Sequence, residues 1–265
     1  MVKGLYTSAT GMINEQRRVD VLANNLANSS TTGFKAEGST SEAFYDVLAY
    51  KIKDTSEPFA ARRLGAMNLG VKIGETYTDY SEGSFITTGN DYDMALSGKG
   101  FFAIEFTSKD GEVSTKYTRA GDFIVNTKGE LVNKNGDYVL DTNGQHIILD
   151  PIVKPTMGLD GTIYQNGNAV ATIQVQDFED YNYLKKYGEN YYDPVEGATP
   201  VESTATVYNG MLEASNVQTV KEMVNLINFQ RAYETNQKMI QAHNETLDVA
   251  VNQLGKIGRA SCRER

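Results

Sequence analysis

The chain has 265 residues, enough for one large domain or two modest ones, and 40% of them are hydrophobic and 22% charged. A net charge of −9 argues against nucleic acid and anionic membranes as partners. No apolar run approaches the ~18 residues that a membrane span requires.

The N-terminus, Met1-Val2-Lys3-Gly4-Leu5, carries one lysine and no apolar core segment, which predicts no cleaved secretory signal. Leu5, Met12, Val19 and Leu26 recur at steps of seven, backed by Ala9, Leu22 and Ala23, with Glu15, Gln16, Arg17, Arg18 and Asp20 opposite. The pattern predicts a helix over 4–28, ended by the turn formers Ser29-Ser30-Thr31-Thr32-Gly33. Its last turn, with Asn24, Asn25 and Asn28, is poor helix material, so this helix is expected to be ordered by packing against a partner.

Residues 36–68 read as a connecting segment. Ser41–Lys53 suggests a short helix through Phe44, Val47 and Leu48, and Thr55–Asn68 an irregular loop with the basic pair Arg62 and Arg63. From about residue 69 to 216 short β-rich runs take over: Val71–Tyr77, Phe101–Phe106, Lys116–Arg119, Phe123–Val125, Tyr138–Leu140, His146–Leu149, Thr162–Tyr164 and Val170–Val175. Between them lie Asn90-Asp91, Asp110-Gly111, Lys128-Gly129, Asn135-Gly136, Asn143-Gly144 and Asp160-Gly161, where asparagine and glycine tolerate the positive φ of tight hairpins. This spacing predicts an all-β domain. Asp177–Thr204, with Tyr181, Tyr183, Tyr187, Tyr191 and Tyr192, reads as a surface excursion of it.

Ser215-Asn216-Val217-Gln218 has the form of a capping box opening a helix of about 40 residues to Ile257, ~60 Å long. Along it Leu226, Phe229, Tyr233, Asn236, Ile240, His243, Leu247, Ala250, Leu254 and Ile257 alternate at three and four, a coiled-coil seam. Residues 259–265 break from this pattern and carry the only cysteine, Cys262; they read as an expression scar or frame artefact.

Little in the chain suggests catalysis. His146 and His243 belong to no metal-binding spacing, and no nucleophile elbow or phosphate loop is present. Gly98-Lys99-Gly100-Phe101-Phe102-Ala103 matches a permissive dinucleotide fingerprint but leads into a strand rather than the helix that fingerprint needs. The Asn133–Asp137 and Asp141–Gly144 turns lack calcium-loop spacing. Asp91 with Asp93, and Arg17 with Arg18, read as solvated surface groups. No catalytic residue, cofactor, metal or small-molecule substrate is expected.

The motif text is more specific. Ala23-Asn24-Asn25-Leu26-Ala27-Asn28 with Thr31-Thr32-Gly33-Phe34-Lys35 resembles the N-terminal signature of bacterial flagellar rod and hook proteins. Thr88–Leu96, Gly98–Phe102, Tyr117–Phe123 and Gly129-Glu130-Leu131 are similar to segments of that family's β domain. Gly210-Met211-Leu212-Glu213-Ala214-Ser215-Asn216-Val217, Glu222–Leu226 and Gln230-Arg231-Ala232-Tyr233-Glu234 are similar to its C-terminal signature.

The resemblance implies a mixed fold: an all-β central domain, flanked by N- and C-terminal α-helices that pair as a coiled-coil-like inner domain. In domain terms, 1–35 with 217–258 would be the inner assembly domain and 69–216 the outer one. It implies a structural, non-enzymatic subunit of the basal body in the cell envelope, stacking into a hollow helical rod that transmits torque and conducts exported subunits. Its partners would be other copies of itself, adjacent rod and hook proteins and the flagellar type III export apparatus. The length fits a rod protein better than the larger hook protein. Residues 41–74 could hold the additional segment of distal rod proteins, so that type is preferred over the proximal.

The assembly interface is expected at Leu5, Met12, Val19 and Leu26 with Leu226, Phe229, Tyr233, Asn236, Ile240, Leu247 and Leu254. Asn236, polar in an apolar seam, is expected either to fix helix register or to face solvent. The alternative function is a non-enzymatic β-domain binding module on a coiled-coil stalk, with Tyr181–Tyr192 as an aromatic glycan surface.

Overall fold

The computed structural model of the chain describes residues 2–50, 63–108 and 111–253. They divide into two compact units, one of residues 1–26, 37–78 and 219–265, the other of residues 27–36 and 79–218.

The first unit holds both helices, α1 (Val2–Ala27) and α2 (Thr219–Asp248), the latter ending in a π turn at Val249–Gln253. The burial of α2 follows its apolar period. Leu226, Phe229, Tyr233, Asn236, Ile240, His243, Leu247 and Ala250 are half-buried; Glu222, Asn225 and Ala232 join them, and every other described side chain from Thr219 to Asn252 is exposed. Leu254 and Ile257 lie outside the described residues. On α1, Leu5, Met12, Val19 and Leu26 are half-buried, while Asn14, Leu22 and Asn25 are buried. Gly4 and Gly11 sit inside α1, where glycine costs about 1 kcal/mol relative to alanine.

Ser215 does not cap α2. Its hydroxyl accepts the Val217 N–H at 3.2 Å, two residues on, and the helix begins only at Thr219. A short Ser/Thr turn competes here with the capping box and wins.

The segment expected to hold a short helix and a loop is instead a β ribbon, as far as it is described. β1 (Glu37–Ala43) and β4 (Val71–Thr78) pair antiparallel from Glu37 opposite Thr78 to Ala43 opposite Val71, with a bulge between Ser39 and Ser41. β2 (Val47–Tyr50) and β3 (Arg63–Met67) continue the ribbon. The strand expected at Val71–Tyr77 is therefore present but grouped with the helices. A lone two-stranded ribbon is marginal in water, and this one is tied to α1. The Asn14 amide donates to Ser41 Oγ at 3.0 Å. The Asn25 amide donates to the Glu37 carbonyl at 2.8 Å and accepts the Glu37 N–H at 2.9 Å. The asparagines that weaken the end of α1 thus include the one that fixes where β1 starts.

The second unit is built on a nine-stranded antiparallel sheet. Its central strand, Phe101–Thr107, pairs with Val113–Thr118, Tyr138–Val139 and Val175–Phe178. Phe101 to Ile104 are all buried because both faces of this strand are covered. Phe102 and Ile104 enter a core with Met94, Leu96, Phe123, Leu131 and Val139, while Phe101 joins Phe178, Leu184 and Tyr192. Gly98 and Gly100, both at positive φ, lead into this strand, so the fingerprint-like run is a turn. The expected hairpin glycines Gly111, Gly129, Gly136, Gly144 and Gly161 also have positive φ. His146–Leu149 forms only isolated bridges, Leu140 to His146 and Glu130 to Ile148, rather than a strand.

The tyrosine-rich stretch is not a surface excursion. It supplies the strands Leu184–Tyr187 and Tyr191–Pro194 to the main sheet. Tyr192 is fully buried, its ring 5.2 Å from Phe101 and 5.5 Å from Tyr80. The aromatic surface needed by a glycan-binding reading is spent on the core, leaving Tyr183 and Tyr187 as the more exposed members.

Candidate assembly site

Two groups of side chains stand out, one in each unit. In the first unit α1 and α2 meet along a track one residue before the leucine heptad. A Cβ added to Gly4 would lie 2.8 Å from His243 Nε2, and one on Gly11 would lie 3.1 Å from Asn236 Nδ2. The Arg18 guanidinium carbon lies 3.8 Å from the centroid of the Phe229 ring. Arg18 is thus no solvated member of a basic pair; its plane stacks on an aromatic face. Asn236 faces α1 rather than open solvent. His243 shares this track, and His146 stacks on Tyr138 and bonds Glu105 at 3.0 Å.

Exposed apolar residues form a second stripe at the start of α2. Val220, Met223, Val224 and Ile227 follow the i, i+3, i+4, i+7 spacing and are each about half exposed or more.

In the second unit the signature residues converge on a buried carboxylate. Glu213 Oε1 takes the Lys35 ammonium at 2.6 Å and the Gly83 N–H at 3.0 Å, and Arg119 reaches Glu213 Oε2 at 3.3 Å. Lys35, Arg119 and Glu213 are at most 3% exposed. Burial pulls the Lys35 pKa below its ordinary value and Glu213 pulls it back up. Lys35 also donates to the Ser81 carbonyl at 2.7 Å, and Arg119 to the Leu96 carbonyl at 3.1 Å and to the Gly98 carbonyl, while the buried Arg119 Nε has no hydrogen-bond partner among the described residues. Gly33, at φ 67°, passes so close to the Arg119–Ala120 backbone that a Cβ would sit 2.4 Å from the Ala120 nitrogen. Its N–H donates to the Glu213 carbonyl at 2.9 Å. Phe34 is fully buried, with Lys186 Nζ 4.0 Å from its ring centroid, and the Thr32 carbonyl accepts from Asn190 at 2.8 Å.

Asn216 completes this cluster with a ring of three hydrogen bonds. Its Oδ1 accepts the Ala36 N–H at 2.8 Å, its Nδ2 donates to the Asp79 carbonyl at 2.8 Å, and the Asp79 N–H donates to the Ala36 carbonyl at 2.8 Å. Residues 36, 79 and 216 each lie within three residues of a point where the chain leaves this unit. One side chain therefore staples three chain exits together.

The other signature positions are dispersed. Asn24 is exposed on α1, and Asn28 Oδ1 accepts from Thr31 at 3.2 Å. Arg231 is exposed on α2 and Tyr233 is on its half-buried side. Gly4, Gly11 and Arg119 are the contributors that the expected interface lacks. Arg119 lay inside a quoted motif, and the two glycines carry a readable signal, a seven-residue step inside a helix.

Three family models match the chain: Flagella basal body rod protein over residues 5–35, Flagellar hook protein FlgE/F/G D1 domain over 95–171, and Flagellar basal body rod FlgEFG protein C-terminal over 208–254. Among curated proteins, the flagellar basal-body rod protein FlgF of Caulobacter vibrioides is 38% identical over 97% of this chain and 100% of its own length. The chain belongs to the flagellar basal-body rod protein family. FlgG of Agrobacterium fabrum is 33% identical over 96% of this chain and 100% of its own, and FlhO of Bacillus subtilis 31% over 97% and 100%. The rod protein is a structural, axial component of the flagellar basal body and not an enzyme, and its partners are other rod and hook proteins. The buried Lys35–Glu213–Arg119 cluster joins one residue from each of the three matched regions, 5–35, 208–254 and 95–171.

Proposed function

We propose that α1 and α2 pair as a coiled-coil-like inner domain, and that copies of the chain stack through these helices into a hollow helical rod. The rod transmits torque, and its bore conducts subunits delivered by the export apparatus across the periplasm. The β unit forms the outer wall. The observation that carries this reading is the half-buried face of α2, which follows the seam at Leu226, Phe229, Tyr233, Asn236, Ile240 and Leu247. A helix that packs along one stripe and leaves a second apolar stripe exposed at Val220, Met223, Val224 and Ile227 offers the second stripe to another molecule. A contact between unlike patches that does not close into a ring propagates as a helical filament.

The test places one charge on each stripe of the full-length chain. Wild-type protein should form filaments above a threshold concentration, seen by light scattering and electron microscopy. Val224→Asp should abolish filaments while the far-ultraviolet spectrum and the melting of the β unit stay unchanged. Ile240→Asp should abolish filaments and lose helical signal as well. Uniform filaments from both variants would exclude the helices as the assembly site.

A further inference from the structure

Resting on the paired-helix reading above, we propose that Gly4 and Gly11 are specificity-determining holes in α1. They admit His243 and Asn236 of α2 and thereby set the antiparallel register of the pair. Each step of seven forward on α1, from Gly4 to Gly11 to Arg18, is a step of seven back on α2, from His243 to Asn236 to Phe229. Seven residues bring a helix back to nearly the same face after two turns, so the three pairs form successive layers of one seam. Neither glycine has positive φ, so no turn requires it. What each supplies is the space of a missing Cβ, which the imidazole and the amide occupy.

Two equally spaced holes would also accept the two side chains in parallel order, Gly4 against Asn236 and Gly11 against His243. The third layer removes that freedom. In parallel order Arg18 would meet Ala250, which has no ring to stack on. In the antiparallel order, a slip of seven one way would put Arg18 on Asn236 and leave Gly4 opposite Ala250, an unfilled hole; the other way would force the larger Phe229 ring onto Gly11 and put Arg18 opposite Glu222, with no ring to stack on. Only the observed register fills both holes and gives Arg18 an aromatic face. A polar side chain inside a seam is a known way of fixing register, and here the fixing group acts with a partner of defined shape.

The test is a register-specific cross-link in the full-length chain, with Cys262 replaced by serine. Glu15 lies four residues on from Gly11 and Ala232 four back from Asn236, both half-buried. Glu15→Cys with Ala232→Cys should be joined within one molecule by a short bis-maleimide at dilute concentration. Adding Gly11→Leu should cut the yield about tenfold through overpacking, and adding Asn236→Ala to that variant should restore most of it. Gly11→Ala is the milder probe: it improves the intrinsic helix propensity of α1 yet should still lower the yield. An unchanged yield in both Gly11 variants, or no recovery with Asn236→Ala, would overturn the hole-and-knob register while leaving the helix pair standing. No cross-link in the parent would overturn the paired-helix reading itself, and this inference with it.

Discussion

Glu213 is the carboxylate on which two cations converge, so the three members of the cluster are not equivalent. Removing Glu213 strands Lys35 and Arg119 as buried, unpaired charges, whereas removing Lys35 leaves the Arg119–Glu213 pair and the Gly83 bond intact. Breaking a buried pair by deleting one partner costs about 3–5 kcal/mol, while an apolar replacement of similar volume is often near neutral. Glu213→Ala is therefore expected to lower the urea midpoint of the β unit severely and Lys35→Met only slightly; equal losses would mean that the charges do not act as a cluster. Tyr191 gives a pH-dependent counterpart. Its hydroxyl accepts from Asn133 at 2.6 Å and Asn135 at 2.7 Å and donates to Asp137. Burial, then the bond to Asp137, raise its pKa from 10.0 to about 12. The folded state holds this proton more tightly than the unfolded chain does. Its stabilisation is whole below pH ~10, and is lost as pH rises through about 12. The shift is worth about 2–3 kcal/mol. Alkaline unfolding curves of Tyr191→Phe should be shallower across that window than those of the wild type, although less stable near neutrality.

At the level of elements, legibility followed burial. The apolar stripes of α1 and α2 could be read because one face of each helix packs and the other does not, which writes a 3.6-residue period into the sequence. The hairpins of the β unit could be read from their glycines, since positive φ leaves few alternatives at Gly136 or Gly144. The ribbon of β1 and β4 could not. Glu37-Gly38-Ser39-Thr40-Ser41-Glu42-Ala43 buries no side chain fully, so no alternation marks it as a strand, and its pairing is set by a partner about 30–40 residues away. The nearby Phe44, Val47 and Leu48 mimic a helical spacing, although Val47 and Leu48 belong to a strand. The strands at Leu184–Tyr187 and Tyr191–Pro194 were hidden for a different reason: tyrosine and lysine read as surface residues, yet Tyr192 closes a core. The buried carboxylate was legible only in part. Lys35, Glu213 and Asn216 stood in quoted motifs, but the motifs do not say that one carboxylate binds both Lys35 and Arg119, or that Asn216 staples the exits at residues 36 and 79.

For the whole molecule the largest opposing force to assembly is its own charge. Each chain carries a net −9, so stacked copies repel one another, while the seams proposed to join them are apolar and indifferent to screening. Residues 259–265 contribute three arginines and one glutamate, so a chain without them would carry −9 − 3 + 1 = −11 and repel its copies more. Repulsion between exposed charges acts over the Debye length, which shrinks from ~30 Å at ~0.01 M salt to ~8 Å at ~0.15 M. Apolar burial, in contrast, persists or strengthens with salt. The threshold concentration for filament formation should therefore fall as ionic strength rises over that range, and fall further for the chain shortened at residue 258 when each is compared with its own low-salt value. The measurement is light scattering across a dilution series at each salt concentration. A threshold that rises with salt would show that complementary charges rather than apolar stripes join the copies.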